Sequence, residues 1–166
     1  GKGKILRKFP LNGGIDVAGK VVSSKSKRFK KGDKVLVTGC HLSERFDGGY
    51  SQYLRLRSKD VVPVPEGMTT REAMGIGTAG FTAAIALYRM EALGQNPEAG
   101  PIVVTGAPGG VGSFAIDILT SAGYEAHAIT GKPEQFDYLD ELGARQCISR
   151  HDLNWGPHPL ASIRWA

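Results

Sequence analysis

The chain has 166 residues, 41% of them apolar and 22% charged, with a formal net charge of +5. These values exclude a disordered chain, which needs low hydrophobicity and high net charge, and no run approaches the ~18 apolar residues of a membrane-spanning helix. Two cysteines, Cys40 and Cys147, exclude a disulfide framework and point to a reducing compartment, so a cytoplasmic protein is expected.

The first 34 residues carry eleven Lys/Arg against Asp16 and Asp33, a local +9 that leaves −4 for the remainder. A basic third of this kind meets phosphates or is a solvated surface. Few aromatics interleave it, so no single-strand nucleic-acid platform is predicted. Ile15–Val22 is β-branched and flanked by glycine and serine pairs, and reads as a strand. Lys31-Gly32-Asp33 reads as a turn and Lys34–Thr38 as the next strand. Tyr50–Arg57 alternates, with Leu54 and Leu56 on one face, and predicts a third strand. Val61–Val64 predicts a fourth, ended by Pro65-Glu66-Gly67. Short strands at this spacing point to a small barrel or sandwich.

The period changes after Met68. Phe81, Ile85, Tyr88 and Ala92 share one helical face, and Gly94 ends that helix. Ile102–Thr105 reads as a buried parallel strand. Val111, Phe114, Ala115, Ile118, Leu119 and Ala122 form a second helical stripe, closed by Gly123. Tyr124–Thr130 is a strand, Pro133 opens the next helix, Gly143 closes it, and Gln146–Ile148 is a third strand. The order β-α-β-α-β is one half of a doubly wound parallel sheet. The tail from Asn154, with Trp155, Pro157, Pro159 and Trp165, has no period, and the chain is expected to be part of a larger protein.

Val104 to Ser113 runs from the end of the buried strand into the start of a helix, the context that a dinucleotide fingerprint requires. Gly109 allows close approach to a pyrophosphate, and Gly112 allows close helix–strand packing. The free N–H groups and dipole at the helix start attract the anion. The first glycine of G-x-G-x-x-G is Ala107 here, so that turn must suit a Cβ. About 20 residues on, where an NAD site places an acid, stand Thr130-Gly131-Lys132. The missing acid and the added cation argue for NADPH. The plainer alternatives are a turn that merely joins strand to helix and a surface lysine. No metal is expected: Cys40 and His41 are adjacent, poor geometry for one zinc, and Cys147, His151 and His158 carry no ligand spacing.

The chain resembles the zinc-free quinone-oxidoreductase branch of the medium-chain dehydrogenase/reductase superfamily, and within it the acryloyl-CoA reductase subfamily. The residues that carry the likeness are Gly14-Ile15-Asp16-Val17-Ala18-Gly19, Gly32–Leu36, Gly48–Ser51, Ile76–Ala83, Val103–Ser113, Thr130-Gly131-Lys132, Tyr138-Leu139 and Leu142-Gly143-Ala144. The resemblance implies an α/β protein: a partial, mostly-β GroES-like catalytic domain over 1–72 and a partial Rossmann doubly wound parallel-sheet domain over 73–166. It implies NADPH as cofactor and hydride transfer, without zinc, to an activated C=C bond of an enoyl-CoA thioester or to a quinone. Gly77, Thr78 and Thr82 would lie near the nicotinamide; Gly109, Gly110 and Val111 would hold the pyrophosphate; Thr130, Lys132 and Tyr138 would surround the 2′-phosphate; Thr105, Gly112 and Gly131 would complete the cofactor-binding residues. Thr78 and Thr82 alternatively satisfy backbone groups at a helix start.

The chain departs from the family at Gly13, usually Pro, and at Pro108, usually a small residue. The family's Asn-Tyr-Lys-Asp stretch beside the substrate would precede Gly1, and the rest of the Rossmann sheet would follow Ala166. No catalytic residue is therefore assigned. The 166-residue chain alone is expected to bind cofactor weakly and to lack turnover, and the intact protein is expected to be a homodimer with no membrane or nucleic-acid partner. Two other classes stay open: a non-catalytic nucleotide- or nucleic-acid-binding protein of the same fold, and an inactive degenerate copy.

Overall fold

The computed structural model describes residues 4–153; Lys2, His158 and the tail from Asn154 lie outside them. The described residues divide into two compact units, one ending at Thr78 and the other beginning at Ala79.

In the first unit, strands β1 (Asp16–Lys20), β2 (Lys34–Thr38) and β3 (Val62–Pro63) form one antiparallel sheet in that order. Asp16 pairs with Thr38, and Lys20 with Lys34. Gly32 turns the chain between them at φ +96°, a conformation glycine adopts without strain. Val35, Val37, Leu42 and Val61 form the buried centre, with Val17, Phe29, Leu54 and Leu56 packed around it. The predicted strand over 50–57 is a correction: the segment bends at 50–52 and joins no ladder. Its alternation is real, since Leu54 and Leu56 turn inward while Tyr53, Arg55 and Arg57 stay exposed. Alternation reports which face is buried; it does not supply a neighbouring backbone to pair with.

Helix α1 (Thr70–Ala92) starts in the first unit and ends in the second. Thr69 and Glu72 cap it reciprocally: Glu72 N–H donates to the Thr69 hydroxyl (3.1 Å), and Thr69 N–H donates to the Glu72 carboxylate (2.7 Å). The helical face that carries Phe81, Ile85, Tyr88 and Ala92 is solvent-exposed, Tyr88 at 69%. The buried face is instead Ala73, Gly77, Gly80, Ala83 and Leu87. α1 has two apolar stripes, and periodicity alone does not say which one meets a neighbour; the smaller residues permit the closer approach.

The second unit continues with β4 (Ile102–Thr105), α2 (Gly110–Ser121), β5 (Ala126–Thr130), α3 (Phe136–Glu141) and β6 (Gln146–Ser149). The strands form a parallel sheet in the order β4-β5-β6, the topology of a Rossmann half. All five residues of β5 are buried, as a central strand covered on both faces requires. Pro133 stands in a single 3-10 turn, Pro133–Gln135, that leads into α3. On α2 the buried residues are Gly112, Ile116 and Leu119, with Ala115 and Ile118 against the same core. The predicted stripe omitted Ile116 and included Val111, which is 44% exposed. α2 is apolar on most sides, so its phase is set by the sheet it covers.

Candidate functional site

The loop from β4 to α2 is shaped by three different demands on its small residues. Gly106 takes φ +62°, so the left-handed position falls there and not at Ala107. Ala107 is fully buried with its Cβ accommodated, which answers the departure from the glycine fingerprint. A Cβ on Gly112 would sit 2.6 Å from the carbonyl oxygens of both Gly106 and Ala107, backbone atoms that cannot move aside. Gly109 N–H donates to Gly106 O (2.9 Å), and Pro108 has no N–H to offer. No side chain caps α2. The donors that this loop presents to an anion are therefore the first-turn amides of Gly110, Val111 and Gly112, reinforced by the helix dipole.

Thr105 ends β4 and is exposed beside this loop. Thr130 ends β5 and is buried, and its hydroxyl accepts the Lys132 N–H at 3.0 Å. Lys132 itself is exposed. Arg150, absent from the sequence reading, joins this group. Its N–H donates to Thr130 O (2.8 Å), and a Cβ on Gly131 would lie 2.5 Å from its Nε and 2.8 Å from its Cζ. The arginine thus lies across Gly131, and a second cation attends the end of β5. The signal that finds it is register: β5 and β6 pair Thr130 with Ser149, so the next residues, Gly131 and Arg150, meet. Tyr138 stands on α3, 42% exposed, and shares no hydrogen bond with Thr130 or Lys132.

A second cluster lies in the first unit. Gly77 breaks α1 with φ +49° and ψ −154°. The next residue, Thr78, donates its N–H to Asp16 Oδ2 (3.0 Å) and its hydroxyl to Asp16 Oδ1 (2.6 Å). Thr82, one turn later on α1, belongs to the second unit and is exposed. Among the described residues, no group of three or more His, Cys, Asp or Glu is placed to hold a metal ion, and no helix is long and apolar enough to cross a membrane. Burial, with a hydrogen bond to Asp140, pushes the Cys147 thiol up to about 12, so it stays protonated.

Residues 1–66 match the alcohol dehydrogenase GroES-like domain. The chain is 50% identical over 165 residues to the acrylyl-CoA reductase AcuI of Ruegeria pomeroyi, covering 99% of this chain and 50% of that protein. The yhdH oxidoreductase from Salmonella enterica in complex with NADP superposes with a TM-score of 0.93 at 42% identity, over 99% of this chain and 50% of that one. The chain belongs to the medium-chain dehydrogenase/reductase family. Another solved member, Bacillus subtilis protein yhfP with NAD bound, gives a TM-score of 0.91 at 45% identity, over 98% of this chain and 50% of that one. The chain spans about half the length of the curated relatives it matches. The chain has the two parts that the resemblance implies, an antiparallel GroES-like part and a parallel Rossmann-type sheet.

Proposed function

We propose that this chain contributes the cofactor-binding half of an NADPH-dependent, metal-independent reductase. The observation that carries the reading is the uncapped start of α2 beside an acid-free, doubly cationic end of β5. The residues fit the cofactor. A Cβ would fill the cradle at Gly112, and no carboxylate stands among Thr130, Gly131 and Lys132 to repel a 2′-phosphate. Gly110, Val111 and Gly112 would bind the pyrophosphate, with Gly109 and Thr105 shaping the loop. Lys132 and Arg150 would bind the 2′-phosphate beside Thr130, Gly131 and Tyr138. Gly77, Thr78 and Thr82 would stand near the nicotinamide. The bound cofactor would supply hydride; the chain's own contribution is to hold and orient it.

The relatives' names extend the proposal to substrate. An acrylyl-CoA reductase among them favours an activated C=C bond in an enoyl thioester; the resemblance to the quinone-oxidoreductase branch keeps a quinone as the second candidate. The division into residues 1–72 as the GroES-like part and 73–166 as the cofactor part, and a homodimeric intact protein, rest on the same resemblance. A cytoplasmic setting rests on the two free cysteines.

Titration of the intact protein that contains this chain with NADPH and NADH tests the reading. NADPH should bind more tightly, and Lys132→Asp should reverse the order, because a charge-assisted contact to phosphate contributes ~1–3 kcal/mol. Equal affinity for the two cofactors in the unmodified protein would sink it.

A further inference from the structure

We propose that Asp16 is a positioning residue of the cofactor site, whose carboxylate holds the break in α1 and thereby sets where Thr78 stands. The inference rests on the reading above that Gly77 and Thr78 serve the nicotinamide end of the cofactor.

Asp16 is the first residue of β1 and is anchored by its own backbone. It pairs with Thr38, and Gly49 lies so close over its carbonyl that a Cβ there would be 2.0 Å from the Asp16 oxygen. The side chain therefore projects from a fixed base. Both carboxylate oxygens are used, and both serve Thr78, a residue 62 positions away. The break explains why. Gly77 leaves helical geometry at φ +49° and ψ −154°, and the Thr78 N–H that follows it has a side-chain acceptor. Oδ2 supplies it at 3.0 Å, and its negative charge suits the start of the helical segment that follows.

The glycine and the carboxylate require each other. A Cβ on Gly77 would meet Asp16 Oδ2 at 2.8 Å, and φ +49° disfavours any L side chain in addition. Glutamate at position 16 would push one methylene further into that same space. Asparagine can satisfy the same two atoms, because its oxygen accepts the N–H while its amide donates to the hydroxyl. Alanine satisfies neither. The two helix starts then differ in electrostatic role. The α2 amides stay available for phosphate, whereas the Thr78 amide is already held by a carboxylate, so this second start orients a neighbour without attracting an anion.

The test uses the intact protein that contains this chain, with NADPH and with adenosine 2′,5′-bisphosphate, which lacks the nicotinamide. Asp16→Ala should weaken NADPH about tenfold, the scale of one lost hydrogen bond to a charged group. It should also change the nicotinamide emission on binding and leave the bisphosphate affinity within about twofold, since those contacts are elsewhere. Asp16→Asn should restore most of the NADPH affinity. Amide hydrogen exchange at Thr78 should be protected in the unmodified protein and in Asp16→Asn, and released in Asp16→Ala. Retained protection or unchanged NADPH affinity in Asp16→Ala would overturn the clamp. So would an equal loss for both ligands, which marks a general effect on the fold. Failure of the unmodified protein to bind the bisphosphate would instead refute the cofactor reading, and the positioning role with it.

Discussion

The two units hold their shapes by different means. The first has a buried apolar centre of four residues, Val35, Val37, Leu42 and Val61, under a three-stranded sheet whose third strand is two residues long. Much of its order comes from polar ties across loops: Asn12 N–H to Asp47, Lys30 N–H to Asp33, and Arg28 to Ser58 O. Gly39, Cys40, His41 and Ser43 all take positive φ, so the chain after β2 is held by specific contacts and not by local preference. The second unit buries eleven residues in one cluster between a parallel sheet and its helices. The lesson is about tolerance. Where a large apolar core fixes the backbone, a helix start can be left without a side-chain cap, as at α2; where the core is small, a break in a helix is held by a side-chain clamp such as Asp16 on Thr78.

The largest expected effect strikes the core-held unit. Ile116 is fully buried, and Ile116→Ala should cost ~2–5 kcal/mol in urea unfolding, the range for a truncated core isoleucine. A loss below ~1 kcal/mol would mean that the apolar cluster is less cooperative than the burial implies. Next is Gly112→Ala. Its new methyl meets two backbone carbonyl oxygens, so it should cost ~1–3 kcal/mol as an overpacking change and remove NADPH binding along with it. Unchanged binding would show that the α2 start is not the phosphate site.

The capping pair ahead of α1 sharpens the contrast from the other side. α2 has no side-chain cap, whereas Thr69 and Glu72 cap each other's amides. Thr69→Ala should lower stability by ~0.5–2 kcal/mol. The backbone and hydroxyl hydrogen bonds from Thr69 hold the Glu72 carboxyl below its ordinary value. Its contribution is therefore complete above the ordinary carboxylate range and is lost as pH falls through the lowered value. Acid titration of thermal stability should show that loss in the unmodified chain and not in Glu72→Gln. The smallest effect is chemical. At neutral pH a thiol reagent should label exposed Cys40 and spare Cys147, whose thiol is pushed up to about 12. Equal labelling would mean that the α3–β6 packing opens readily.

The strand–glycine–helix order of the second unit was legible in the amino-acid order alone, and the anion-binding role of residues 105–112 is proposed from the same local pattern. These features are local. A buried strand, a turn glycine and a helix start are dictated by residues within a few positions of one another, and Gly123 and Gly143 take the positive φ that their placement as helix stops requires. Tertiary structure decided the rest. It chose which stripe of α1 is buried, left Tyr50–Arg57 without a strand partner, laid Arg150 across Gly131, and brought Asp16 to a residue 62 positions away. Each of those outcomes is a contact between segments whose separate patterns are satisfied in more than one arrangement, so only the packed chain selects among them.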